Sequence, residues 1–154
     1  MDWLTFWQAV TFFGNNEVVV SLLIGLGIYV LLTKKYITEY VAVITSASLS
    51  AILVWFLKGY YAVPRPVEAL IEVSGYSFPS GHSSISFALF FLLWLLFRKS
   101  LAWYFQTVLL ALVALIPLSR IALQVHRPEE VAVGSVIGFT TAVVVYITTK
   151  HFQR

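Results

Sequence analysis

Cysteine is absent from the 154 residues, which excludes a disulfide framework and a thiolate metal site. Charge is scarce as well: Asp, Glu, Lys and Arg make up 11% of the chain, where a soluble domain carries about 25%. Internal repeats and low-complexity linkers are missing, so nothing marks a second core and a single domain over 1–154 is expected. The acidic Asp2, without a basic stretch or a small-residue cleavage site behind it, argues against a secretory signal peptide.

What the chain has in abundance is apolar surface, 60% hydrophobic residues with a mean hydropathy of +0.88. That combination leaves a polytopic membrane protein as the class. Apolar runs separated by charged or Pro/Gly-rich breaks predict membrane-spanning helices near Val18–Thr33, Ile37–Leu57, Ser83–Phe97, Leu101–Leu118 and Val131–Thr148. Several are shorter than the roughly 20 residues expected of a span. Trp3, Phe6, Trp7, Val10 and Phe13 recur at spacings of three and four, which predicts a short helix over residues 1–14. Too short to cross, it is expected to lie at the interface and to end at Gly14-Asn15-Asn16. The expected fold is therefore all-α: a polytopic membrane helix bundle of five transmembrane helices plus an N-terminal interfacial helix.

The ten basic residues sort by side. Lys34, Lys35, Arg98, Lys99, Lys150 and Arg154 fall on one side, and Lys58, Arg65, Arg120 and Arg127 on the other. The first set should be cytoplasmic. Most of the net charge of +3 is this orienting charge, so no nucleic-acid partner is expected. Tyr36, Tyr40, Trp103 and Tyr104 at one edge and Trp3, Trp7, Tyr60 and Tyr61 at the other fit aromatic belts. In the longest connection, Val67 to Val73 is expected to form at most a short amphipathic turn whose Glu68 and Glu72 face solvent. Small residues cluster at Thr45–Ala51 and at Gly134 and Gly138, and both sets are expected to pack helices within the chain.

Charge at the mouths of apolar segments is costly and needs a reason. Three such segments stand on one predicted side: Lys58 with Arg65-Pro66; Pro79-Ser80-Gly81-His82; and Ser119-Arg120 followed by His126 and Glu130. A transferring phosphoryl group spreads negative charge over its oxygens, so its catalyst mainly needs fixed cations, donors and a nucleophile. Lys58, Arg65 and Arg120 supply the cations, the arginines as planar forks and the lysine as a point charge. Ser80 is suited to cap the following helix, whose first N–H groups, at Gly81 and His82, would cradle an anion. Pro128 suits the first position of the last helix, which puts Glu130 near its third. From there the carboxylate can fold back to accept Nδ1–H of His126, leaving Nε2 lone-pair-bearing as a nucleophile. Metal binding by His82 and His126 is the competing reading of the pair, and the three nearby cations oppose it.

In order and spacing these segments resemble the three-part signature of the type 2 phosphatidic acid phosphatase superfamily, integral-membrane lipid phosphatases related to vanadium haloperoxidases and glucose-6-phosphatase. The resemblance covers residues 58–138. It implies a cofactor-free, metal-independent lipid phosphate phosphatase in which His126 attacks phosphorus to give a phosphohistidine, His82 is the general acid, Glu130 orients His126, and Lys58, Arg65, Ser80, Gly81 and Arg120 bind phosphate. The implied substrate is a membrane lipid phosphate held from the bilayer at the non-cytoplasmic face. Phosphatidylglycerophosphate, undecaprenyl diphosphate, phosphatidate and the 1-phosphate of lipid A are the types expected if the cell is bacterial, with the protein in its inner membrane and the site facing the periplasm. Phosphotransfer from lipid to lipid, or non-catalytic lipid or anion binding on the same scaffold, are the alternatives. Two positions depart from the family pattern: Glu130 stands where aspartate is usual, which leaves room for Glu129 to share its role, and Arg127 where an aromatic residue is common.

Overall fold

The computed structural model describes residues 2–153, and every regular element among them is a helix. α1 is Trp3–Phe12, capped by Asp2, which accepts from the Thr5 N–H at 2.7 Å. α2 is Asn16–Thr33, α3 Ile37–Tyr61, α4 Gly81–Phe97, α5 Trp103–Ala122 and α6 Pro128–Phe152. Four of them, α2, α3, α5 and α6, are long and apolar enough to cross a membrane; α4 is a shorter apolar helix. Large apolar side chains such as Leu32, Trp55, Val136 and Ile147 face outward, as lipid solvent permits and water does not.

α4 forms the centre of the bundle. Ala88, Leu89 and Leu92 are fully enclosed, and Leu89 and Leu92 pack with Val43 of α3, Ile116 of α5 and Ala142 of α6. Between Ser86 and Phe91 the helix widens into π geometry, which the apolar pattern did not foretell. The small residues expected to pack helices do so. Ser46 of α3 donates to the Ala88 carbonyl at 2.9 Å, and the Ser50 and Ser84 hydroxyls lie 2.6 Å apart. Such interhelical bonds contribute about 0.6 kcal/mol each in a bilayer. A Cβ on Gly134 would stand 2.3 Å from the Ser80 carbonyl oxygen, and one on Gly138 would stand 2.0 Å from that of Ser84. Only hydrogen at these two positions lets α6 touch the start of α4.

Short turns make successive helices run back and forth, so the bundle has two chemically different ends. At one end Tyr36 packs edge-on against Phe97, and Gln153 donates to Glu39 at 3.1 Å. Lys34, Lys35, Arg98, Lys99 and Lys150 belong to this end; Arg154, assigned with them from sequence, lies outside the described residues. Lys58, Arg65, Arg120 and Arg127 belong to the other. The connection Ala62–Ser80 folds over that second end and is pinned by Leu70 N–H to the Leu123 carbonyl at 3.0 Å. Within it only a turn at Val67-Glu68 forms, and Glu68 and Glu72 are exposed.

α1 packs on α5 through Thr11, with Trp7 and Val10 of the apolar stripe half-buried beside it. Thr11 is its buried residue, while Trp3, Phe6 and Phe13 are exposed. Thr11 accepts from Nη1 of the buried Arg120.

Candidate active site

The last helix begins at Pro128, and the residue at its third position is Glu130. Its carboxylate is 3% exposed and held on both oxygens. Oε2 lies 2.9 Å from Nδ1 of His126 and accepts the Arg127 N–H at 3.2 Å, while Oε1 accepts the Ser77 hydroxyl at 2.8 Å. Glu129 is exposed, so Glu130 alone makes the contact with the imidazole. The extra methylene relative to aspartate is absorbed by folding the side chain back over the helix start.

Arg65 reaches this ring from the long connection. Its Nη1 lies 3.3 Å from Nε2 of His126 and 3.2 Å from the Val125 carbonyl oxygen, and its other nitrogens are anchored on the Ser74 carbonyl. A guanidinium can only donate, so Nε2 is the lone-pair-bearing nitrogen and Nδ1 carries the proton that Glu130 accepts. Burial, then the charges of Arg120, Arg65 and Lys58, push the His126 pKa far below the usual imidazole range. The ring is therefore neutral at physiological pH.

Pro79-Ser80-Gly81-His82 forms the start of α4, as the sequence predicts. Ser80 is the N-cap, fully buried, accepting from the Ser83 N–H and hydroxyl at 3.4 and 2.9 Å. Its own N–H donates to the Glu130 carbonyl at 3.0 Å, and this bond, together with the close approach at Gly134, ties the second segment to the third. The N–H groups of Gly81 and His82 occupy the open end of the helix. Lys58, in the last turn of α3, donates to the Tyr76 and Ser77 carbonyls.

Lys58, Arg65, Gly81, His82 and His126 share the wall of one cavity of about 680 Å³. It continues from this polar mouth between α2 and α3, where Val19, Val20, Leu23, Ala47, Ala51, Val54 and Trp55 line it. Arg120 sits behind the mouth, 2% exposed, with Nη1 on Thr11 and a buried Nε that has no partner among the described residues. A buried donor left unpaired costs about 1–3 kcal/mol, and Arg120 Nε is the one such side-chain atom among the described residues. Among the described residues no three His, Asp or Glu side chains come together as metal ligands.

The structure thus brings all eight residues singled out from sequence to one end of the bundle. Three more belong with them that no spacing announced: Ser77 on Glu130, Thr11 on Arg120, and Asn15, whose Oδ1 lies 3.0 Å from Nε2 of His82.

A sequence model of the PAP2 superfamily matches residues 39–154, which takes in all three charged segments and most of the bundle. The chain belongs to the PAP2 superfamily. Its fold is similar to the crystal structure of Aquifex aeolicus LpxE, with a TM-score of 0.74 and 24% identity over 92% of this chain and 84% of that one. It is likewise similar to the crystal structure of the first transmembrane PAP2 type phosphatidylglycerolphosphate phosphatase from Bacillus subtilis, with a TM-score of 0.75 and 21% identity over 97% and 76%. Comparison with curated protein sequences gives no significant match. With four membrane-length apolar helices on this scaffold, the PAP2 chain is an integral membrane protein.

Proposed function

We propose that the chain is a metal-independent lipid phosphate phosphatase working through a phosphohistidine. The observation that carries this reading is the single cavity in which a carboxylate-oriented neutral imidazole, a second histidine and two cations meet an apolar groove open between α2 and α3. A soluble phosphate ester has no use for such a groove. A lipid phosphate would lay its chain against Val20, Leu23 and Trp55 and leave its head group at the mouth. The phosphatidylglycerolphosphate phosphatase among the structural relatives is consistent with that class, and phosphatidylglycerophosphate, undecaprenyl diphosphate, phosphatidate and lipid A 1-phosphate all fit it.

In the reaction, Nε2 of His126 attacks phosphorus as the bond to the lipid oxygen breaks, and His82 gives its proton to that oxygen. Arg65, Lys58, the Nε of Arg120 and the N–H groups of Gly81 and His82 hold the equatorial oxygens. Water then breaks the P–N bond, giving its proton to His82, and inorganic phosphate leaves. Glu130 keeps His126 in the required tautomer and stabilises the positive ring once phosphorylated. The three cations oppose a divalent ion at this mouth and supply the charge stabilisation such an ion would give.

For the topology, α4 is the fifth span. Its 17 residues reach about 26 Å at 1.5 Å per residue, close to a hydrocarbon core of roughly 30 Å, and α1 lies along the interface. The uncommitted cations Lys34, Lys35, Arg98, Lys99 and Lys150 support a cytoplasmic side for their end, and with it a site open on the opposite face, the periplasm if the cell is bacterial. The test is phosphate release from lipid phosphomonoesters and diphosphates in detergent with excess chelator present. Turnover by the wild type under chelation is expected; turnover only on adding a divalent metal would contradict the reading.

A further inference from the structure

We infer that Asn15, in the turn between α1 and α2, is the positioning residue of His82, fixing which ring nitrogen holds the proton passed to the departing lipid oxygen. The inference rests on the reading of His82 as general acid given above, and it adds the segment before residue 39 to a site whose family match begins there.

Asn15 stands at the N-cap of α2, where asparagine ordinarily turns its oxygen onto its own helix and contributes about 1 kcal/mol. Here it makes no capping bond. Its Oδ1 instead lies 3.0 Å from Nε2 of His82. An amide oxygen only accepts, so Nε2 carries a proton in either charge state of the ring, and Nδ1 is left as the nitrogen free to exchange one. The neighbouring Gly14 makes room for this: a Cβ there would stand 2.8 Å from Cδ2 of His82 and 3.0 Å from Cγ2 of Ile116. A second bond from the same segment, Thr11 to Arg120, docks α1 on the site.

The two histidines then differ by their partners. A carboxylate stabilises a positive imidazole, which suits the nitrogen that becomes phosphorylated, and His126 has Glu130. A neutral amide orients a ring while strengthening its hold on the proton much less than a carboxylate does, which suits a group that must give that proton away. The charged groups around His82 are Arg120, Arg65 and Lys58, with His126 beside it, so Asn15 is a neutral acceptor among cations.

The experiment compares kcat/KM for phosphatidate, whose leaving group is an alkoxide that needs a proton, with that for p-nitrophenyl phosphate, whose phenolate departs without one. Both are measured on the full chain in the same detergent, after size-exclusion chromatography shows each variant folded. Asn15→Ala is expected to lower kcat/KM for phosphatidate by about 10- to 100-fold and that for the nitrophenyl ester by less than about threefold. Asn15→Asp, which restores an acceptor but adds charge, is expected to move the basic limb of the phosphatidate profile to higher pH. Equal losses on both substrates in Asn15→Ala, or an unmoved basic limb in Asn15→Asp, would overturn the inference and make the contact structural. His126→Ala separates the two levels: if it retains turnover, the phosphatase reading itself falls. If His126→Ala is inactive while the Asn15 variants match the wild type, only the role of Asn15 falls.

Discussion

Replacing Glu130 separates two contributions that the wild-type carboxylate makes at once, charge and orientation. It accepts from His126 Nδ1–H at 2.9 Å, Arg127 N–H at 3.2 Å and the Ser77 hydroxyl at 2.8 Å, and is 3% exposed. Glu130→Gln can keep all three contacts. Its oxygen takes the place of Oε2, and its NH2 donates to Ser77, whose hydroxyl turns to the Val63 or Pro64 carbonyl within 3.2 Å. What is lost is the charge. A hydrogen bond to an ionised group is worth about 1.5–3 kcal/mol and a neutral one about 0.5–1.5, a difference of roughly 1.3 kcal/mol and hence close to a tenfold fall in kcat. Glu130→Ala removes orientation too, freeing the imidazole to adopt the tautomer with Nε2 protonated. The loss should then be well above tenfold and reach about 10²–10⁴. The assay is steady-state phosphate release from a lipid phosphate, with Glu129→Ala, an exposed neighbour, as the unaffected control. Alanine within threefold of wild type, or glutamine more damaging than alanine, would refute the role given to the carboxylate.

Gly138→Ala forces a Cβ to within 2.0 Å of a backbone carbonyl oxygen that cannot swing away; a stability loss of about 1–3 kcal/mol, read as a lower Tm in detergent, is expected, while Gly25→Ala, with open space around it, should be neutral. Gly134→Ala displaces the Ser80 carbonyl as well and should cost activity beyond what its Tm explains. For His126, ¹⁵N NMR of labelled protein should show Nε2 unprotonated from pH 7 down to pH 5. Because its folded pKa is depressed, the unfolded chain binds the extra proton below about pH 6.5, so stability falls as pH drops through that point, and a ring titrating near 6.5 in the folded protein would contradict the geometry.

The local parts of this site could be read from the chain, and the non-local parts could not. Pro128 fixes a helix start, and Glu130 at the third helical position has one short path back to His126, so spacing alone gave the contact that the structure shows at 2.9 Å. Ser80 as a cap follows by the same logic. Asn15, Thr11 and Ser77 are different, because their partners lie 67, 109 and 53 residues away. Nothing in local pattern tells asparagine capping a helix from asparagine holding a histidine. The docking of α1 is non-local in the same way. Trp3, Phe6 and Phe13 stay exposed, while Trp7 and Val10 are half-buried beside Thr11, which meets Arg120. The π turn of α4 leaves no mark in hydropathy.

Trapping the covalent intermediate decides whether His126 is the nucleophile. Rapid acid-free denaturation during turnover of a ³²P-labelled lipid phosphate, followed by peptide mapping, should recover label that is acid-labile, base-stable and confined to His126, and absent in His126→Ala. Label on another residue, or full turnover by His126→Ala, would contradict that role.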